Sequence, residues 1–158
     1  MVVHNISEFP RNLWFFCAFF SWCLAQCIKM LLAYLKTRRV RLHYLVSTGG
    51  MPSAHSATVS GLATSLGITE GFASPIFAIA AVYAIITMFD ASTVRRATGQ
   101  QAAVLNEIIR ELFTQHRLKQ ERLKELLGHT RIEVLMGMFT GIAFSAAATS
   151  IWISKINQ

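Results

Sequence analysis

Charge is missing from four long stretches of this chain, and that absence constrains its fold more than any motif does. No Asp, Glu, Lys or Arg occurs in the 28 residues between Arg41 and Glu70, nor in residues 12–28, 71–89 and 134–154. Each run approaches the ~20 residues that carry a helix across a bilayer core. Only 15% of the 158 residues are charged, against about 25% in an average globular domain, so lipid is one of the solvents. A bilayer accepts only backbones whose amides and carbonyls are satisfied internally. The expected fold class is all-α: an integral membrane helical bundle in a single domain, residues 1–158. Its spans are about 13–35, 52–68, 72–89 and 132–153. The glycines and small residues of the second and fourth runs, Gly61, Ala63, Ser65 and Gly67, then Gly137, Gly141 and Ser145, read as surfaces for close helix contact.

The cations give the orientation. The connections after the first and third spans hold 4 and 8 Lys/Arg, whereas the N-terminus, the loop at Glu70 and the C-terminus hold 1, 0 and 1. The positive-inside rule puts both basic connections in the cytoplasm and both termini outside. The expected location is a bacterial-type inner membrane or an organelle membrane, crossed several times. The formal charge of +7 thus reflects topology, and no nucleic-acid partner is needed to explain it. Lys29, late in the first run, reads as a side chain that snorkels to the interface. Residues 100–127 carry apolar side chains at helical spacing among mixed charges, Val104, Leu105, Ile108, Leu112 and Leu118 included. They predict an amphipathic cytoplasmic helix, on the membrane or against a partner, with Gly128 as its stop. Cys17, Cys23 and Cys27 all fall in the first apolar run and read as small apolar side chains.

Three polar clusters fall on the cytoplasmic side. In "GGMPSAHS", Gly49 and Gly50 lead into a helix start that offers free amides to an anion, with Ser53 adding a hydroxyl and His55 a proton donor. The plainer alternative has Ser53 capping the helix and His55 facing headgroups. Asp90 with Arg95 and Arg96 is either a topological charge cluster or a phosphate clamp whose guanidinium is held by the carboxylate. In "GHTRIEV", His129 and Glu133 stand four apart and share a helix face, so the carboxylate can fix the imidazole tautomer and leave the other nitrogen free to attack. The same pair could serve a metal, or simply satisfy itself at the start of a span. Together the clusters supply a nucleophile, an acid and cationic clamps, the set a phosphohydrolase needs without a metal.

"GGMPSAHSA", "DASTVRRATGQQAAVLN" and "GHTRIEVLMG" resemble the divergent branch of the type-2 phosphatidic acid phosphatase family, over about residues 36–141. The parent family is related to vanadium haloperoxidases. The resemblance implies an all-helical lipid phosphatase with a histidine nucleophile. It makes His129 the nucleophile, Glu133 its partner, His55 the general acid and Ser53 a phosphate contact. Arg95 or Arg96 matches the family arginine, and Lys36 with Arg39 loosely matches the first motif. Ala54 stands where the parent family has glycine, Glu133 where Asp is usual, and Thr93 where the divergent branch has glycine. No Arg-Pro closes the first motif, and 32 residues separate Arg96 from His129.

The expected function is therefore hydrolysis of a phosphomonoester or diphosphate lipid at the cytoplasmic face. His129, His55 and Glu133 would be catalytic. Ser53, Arg95, Arg96, Lys36, Arg39 and Gly50 would hold phosphate, with Asp90 supporting. No cofactor is expected; the partners are the lipid phosphate and membrane lipids, and a homodimer is compatible with the small-residue faces. The rival readings are a non-catalytic lipid-phosphate binder or transporter, and a structural membrane subunit.

Overall fold

The computed structural model describes residues 11–38, 50–113, 129–156 and 158. Among these residues, five helices follow in order: α1 (Leu13–Thr37), α2 (Ala54–Glu70), α3 (Pro75–Ser92), α4 (Val94–Phe113) and α5 (Arg131–Ile156). Each start has a local cause. The Asn12 side chain accepts the Phe15 amide at 3.0 Å. Ser53 and Ser74 cap α2 and α3, and Pro75 occupies the first turn of α3, where its missing N–H costs nothing. Arg38 closes α1 in the left-handed conformation, φ 54°.

α2 is the axle of the bundle, packed against α5, α1 and α3. Its inward residues are small: Ala57, Ser56 and Ser65 are fully buried, as are Ser21 of α1 and Ser145 and Thr149 of α5. The large apolar side chains point outward, including Phe15, Phe19 and Phe20 on α1, Ile79, Ile85 and Phe89 on α3, and Phe139 and Ile151 on α5. This inversion of the soluble pattern is what lipid dictates, since tails are as apolar as leucine and helices associate through close packing and interhelical hydrogen bonds. The Trp14 indole donates to Thr69 Oγ1 at 2.7 Å, joining the start of α1 to the end of α2. Ser60 Oγ donates to the Met138 carbonyl at 3.1 Å, joining α2 to α5.

Two glycines set how closely α2 and α5 approach. A Cβ on Gly137 would collide with the Ser53 carbonyl, and one on Gly141 with the Ala57 carbonyl and Ser60 Oγ. The obstacle is helix backbone, which cannot turn aside. Gly141→Leu is expected to destabilise the bundle by about 1–3 kcal/mol or more, read by thermal unfolding in detergent. Ile142→Leu, on the lipid-facing side of the same helix, should leave the transition in place.

Among the described residues, three stretches are long and apolar enough to cross a membrane: Leu13–Thr37, the run Pro75–Arg110 that contains α3, and Arg131–Ile156. The fourth expected span, α2, has 17 residues and measures about 25 Å, short of the ~30 Å hydrocarbon thickness. It is sheathed by its neighbours and made of small and hydroxylic residues, so it needs neither the length nor the hydropathy of a lipid-facing helix. The amphipathic helix also differs from expectation, beginning at Val94 instead of about residue 100. Thr93 remains in the right-handed helical region, its amide bonded to Phe89 at 3.0 Å and its carbonyl to the Ala97 amide at 2.9 Å, so the ladder barely breaks. Val104, Leu105 and Ile108 are exposed on α4. Leu118 and Gly128 lie outside the described residues.

Candidate anion site at the joined helix starts

α5 opens with a reciprocal cap. The Thr130 hydroxyl accepts the Glu133 amide at 3.3 Å, and Glu133 Oε2 accepts the Thr130 amide at 2.9 Å. This is the capping box that a T-x-x-E sequence encodes. The same Oε2 stands 3.2 Å from His129 Nδ1. The carboxylate thus meets the helix start and the imidazole together. The His129 backbone amide donates to the Ala91 carbonyl at 3.1 Å, which pins the histidine to the end of α3. Its side chain is almost wholly buried, the residue being 3% exposed.

α2 begins beside α5. The Ser53 amide donates to the Glu133 carbonyl at 2.9 Å, so the two helix starts are joined backbone to backbone. The positive dipole ends of two helices then lie side by side, which favours an anion. Ser53 is fully buried and its hydroxyl accepts the Ser56 amide at 3.4 Å; it serves as a cap. His55, in the first turn, is exposed. Its ring lies edge-on to that of His129, centroids 6.3 Å apart. That is contact distance for two rings. Gly50 takes φ +95°, a left-handed conformation that favours glycine.

Lys29 is the residue that the sequence reading misplaced. It does not snorkel: it is 4% exposed, and its stem lies against Gly50, with Cγ and Cδ 3.6 Å from where a Cβ would stand. Its ammonium interacts electrostatically with the Glu133 carboxylate. A cation buried in a spanning helix persists only with partners and marks a functional position by default. Lys36, the lysine first selected, is exposed in the last turn of α1, about 10 Å farther along the axis at 1.5 Å per residue.

Asp90 is half-buried at the end of α3, one residue before the carbonyl that holds His129. Arg95 and Arg96 fall in the first turn of α4; their side chains lie outside what the structure describes. Arg39 lies outside the described residues, as does Gly49. Among the described residues, no group of three or more His, Cys, Asp or Glu side chains gathers as a metal-holding cluster.

A family described as the divergent PAP2 family matches residues 10–144. The chain belongs to that family. The membrane protein YuiD of Bacillus subtilis (strain 168) is 42% identical over 129 residues, which is 75% of this chain and 82% of the relative. No solved structure matches the chain. The divergent PAP2 match takes in Lys29, Gly50, Ser53, His55, Asp90, His129 and Glu133, so the whole described site lies in the family region. Membership and three apolar helices make this an integral membrane protein of all-helical fold.

Proposed function

We propose that the protein is a lipid-phosphate phosphatase that hydrolyses a phosphomonoester or diphosphate lipid at the cytoplasmic face, both termini lying outside. The observation that carries the reading is the meeting of His55, the His129–Glu133 pair and buried Lys29 at two joined helix starts. His129 Nε2 attacks phosphorus and the bond to the leaving oxygen breaks, with His55 donating the proton that oxygen needs. Water then attacks the phosphohistidine with His55 as base; the P–N bond breaks and phosphate leaves. The buried and exposed members of the histidine pair suit these roles, since the acid must exchange protons with solvent. Lys29, the amides at Gly50 and the α2 start, and Arg95 or Arg96 would balance the charge that builds on the equatorial oxygens, usually the largest catalytic term. Lys29 takes the phosphate-holding role that the sequence motif suggests for Lys36 and Arg39.

A second reading, a lipid-phosphate binder or transporter that keeps the anion site without the chemistry, is favoured by Ser53, whose buried hydroxyl is already engaged as a cap. Phosphate release by purified protein from a panel of long-chain phosphomonoester and diphosphate lipids decides between them. The phosphatase reading expects release from at least one lipid. Binding of the same lipids without release selects the second.

A further inference from the structure

α3 and α5 touch far less extensively than α2 and α5 do, and an apolar groove of about 430 Å³ runs between them. Ile85, Met88 and Phe89 form one wall; Val134, Leu135 and Met138 form the other. We propose that this groove seats the hydrocarbon tail of the phosphate-bearing lipid, an inference that rests on the phosphatase reading for the role of the headgroup. Its volume falls within the ~300–1,000 Å³ of small-molecule sites.

Three observations commit the groove to that occupant. First, it is continuous with the site: Val134 follows Glu133, and the α3 end that closes the groove holds the His129 amide through Ala91. Second, its polarity is graded. Ser92, Thr93 and the exposed Arg131 line the end nearest His129, and only apolar side chains line the rest. An amphiphile with an anionic head matches that order, the guanidinium drawing phosphate toward the histidines. Third, the walls face outward, with Ile85, Phe89 and Leu135 exposed, so a chain can enter sideways from the bilayer without crossing water. From Arg131 to Met138 the groove descends about 10 Å at 1.5 Å per residue. A second hollow, about 360 Å³ between Phe16, Phe20, Phe144 and Trp152 with Arg11 also in its lining, lies at the opposite end of the bundle, away from the histidines. It provides an internal control for unspecific lipid contact.

The test is photolabelling in phosphatidylcholine nanodiscs with a hexadecyl phosphate that carries a diazirine in its chain, with hexadecanol bearing the same diazirine as the headgroup-free probe. Adducts are expected on Ile85, Met88, Leu135 or Met138 with the phosphate probe, and unlabelled hexadecyl phosphate should suppress them. Leu135→Trp, at an exposed wall position, should lower that labelling about tenfold, the equivalent of losing a few methylene contacts. Met138→Trp should act likewise, and labelling at Phe144 should be insensitive to headgroup and substitution. Equal labelling by hexadecanol, adducts elsewhere, no adducts, or indifference to both substitutions overturns the proposal. Labelling does not depend on turnover, so headgroup-dependent adducts without phosphate release would defeat the phosphatase reading and leave the groove standing. Release without groove adducts would defeat the groove alone.

Discussion

Replacing His129 with alanine is expected to lower phosphate release from a lipid phosphate by about 10⁴-fold or more, the scale on which loss of a covalent nucleophile acts. The fold should survive, because the Thr130–Glu133 cap that starts α5 does not use the imidazole; helicity and the unfolding midpoint in detergent check this. Glu133→Gln should cost about 10²- to 10⁴-fold, since an amide in place of the carboxylate no longer holds the same tautomer or supports a developing positive charge. Steady-state rates of phosphate release measure both. Equal small losses in the two variants would mean that the pair is only a capped helix start.

Lys29→Met carries the second large expectation, a loss of about 10²- to 10³-fold in kcat/KM, comparable to removing one preorganised donor from a developing anion. Lys36→Ala, exposed seven residues farther along α1, should change the rate by less than about threefold, as a screened surface charge does. The comparison assigns the ammonium to one lysine. Lys29→Met also removes an attraction to the Glu133 carboxylate, which should lower the unfolding midpoint. A lower midpoint with kcat/KM unchanged would make Lys29 a purely structural counter-charge.

Much of this was legible in the sequence, and the exceptions have physical reasons. Charge-free runs gave the all-helical membrane fold, and the four-residue step from His129 to Glu133 gave their contact, seen at 3.2 Å. The T-x-x-E cap is equally visible in the sequence, the same glutamate serving both Thr130 and His129. The depth of Lys29 in its apolar run points to snorkelling, but depth does not say which face it occupies. Its face was the better guide. Cys17, Ser21, Ala25 and Lys29 follow at four-residue steps, and all are buried. On α5, Glu133 heads the corresponding series Gly137, Gly141, Ser145 and Thr149. The two small-residue stripes are the surfaces that pack, so Lys29, which continues the first, is carried into the interior, and Glu133 stands at the partly exposed head of the second. α2 is walled in by other helices, which is why its charge-free run is rich in small side chains. Nothing in the sequence marked Thr93 as a helical link, because α3 changes there from apolar to charged without a change of backbone.

The claim at the centre of the account is a covalent phosphohistidine at His129. The most direct test is rapid acid-free quenching of the protein during turnover of a ³²P-labelled lipid phosphate, followed by mapping of the label. The account predicts an acid-labile, base-stable phosphoryl group on the peptide carrying His129, absent from His129→Ala. Phosphate release that continues in His129→Ala with no labelled histidine would contradict it.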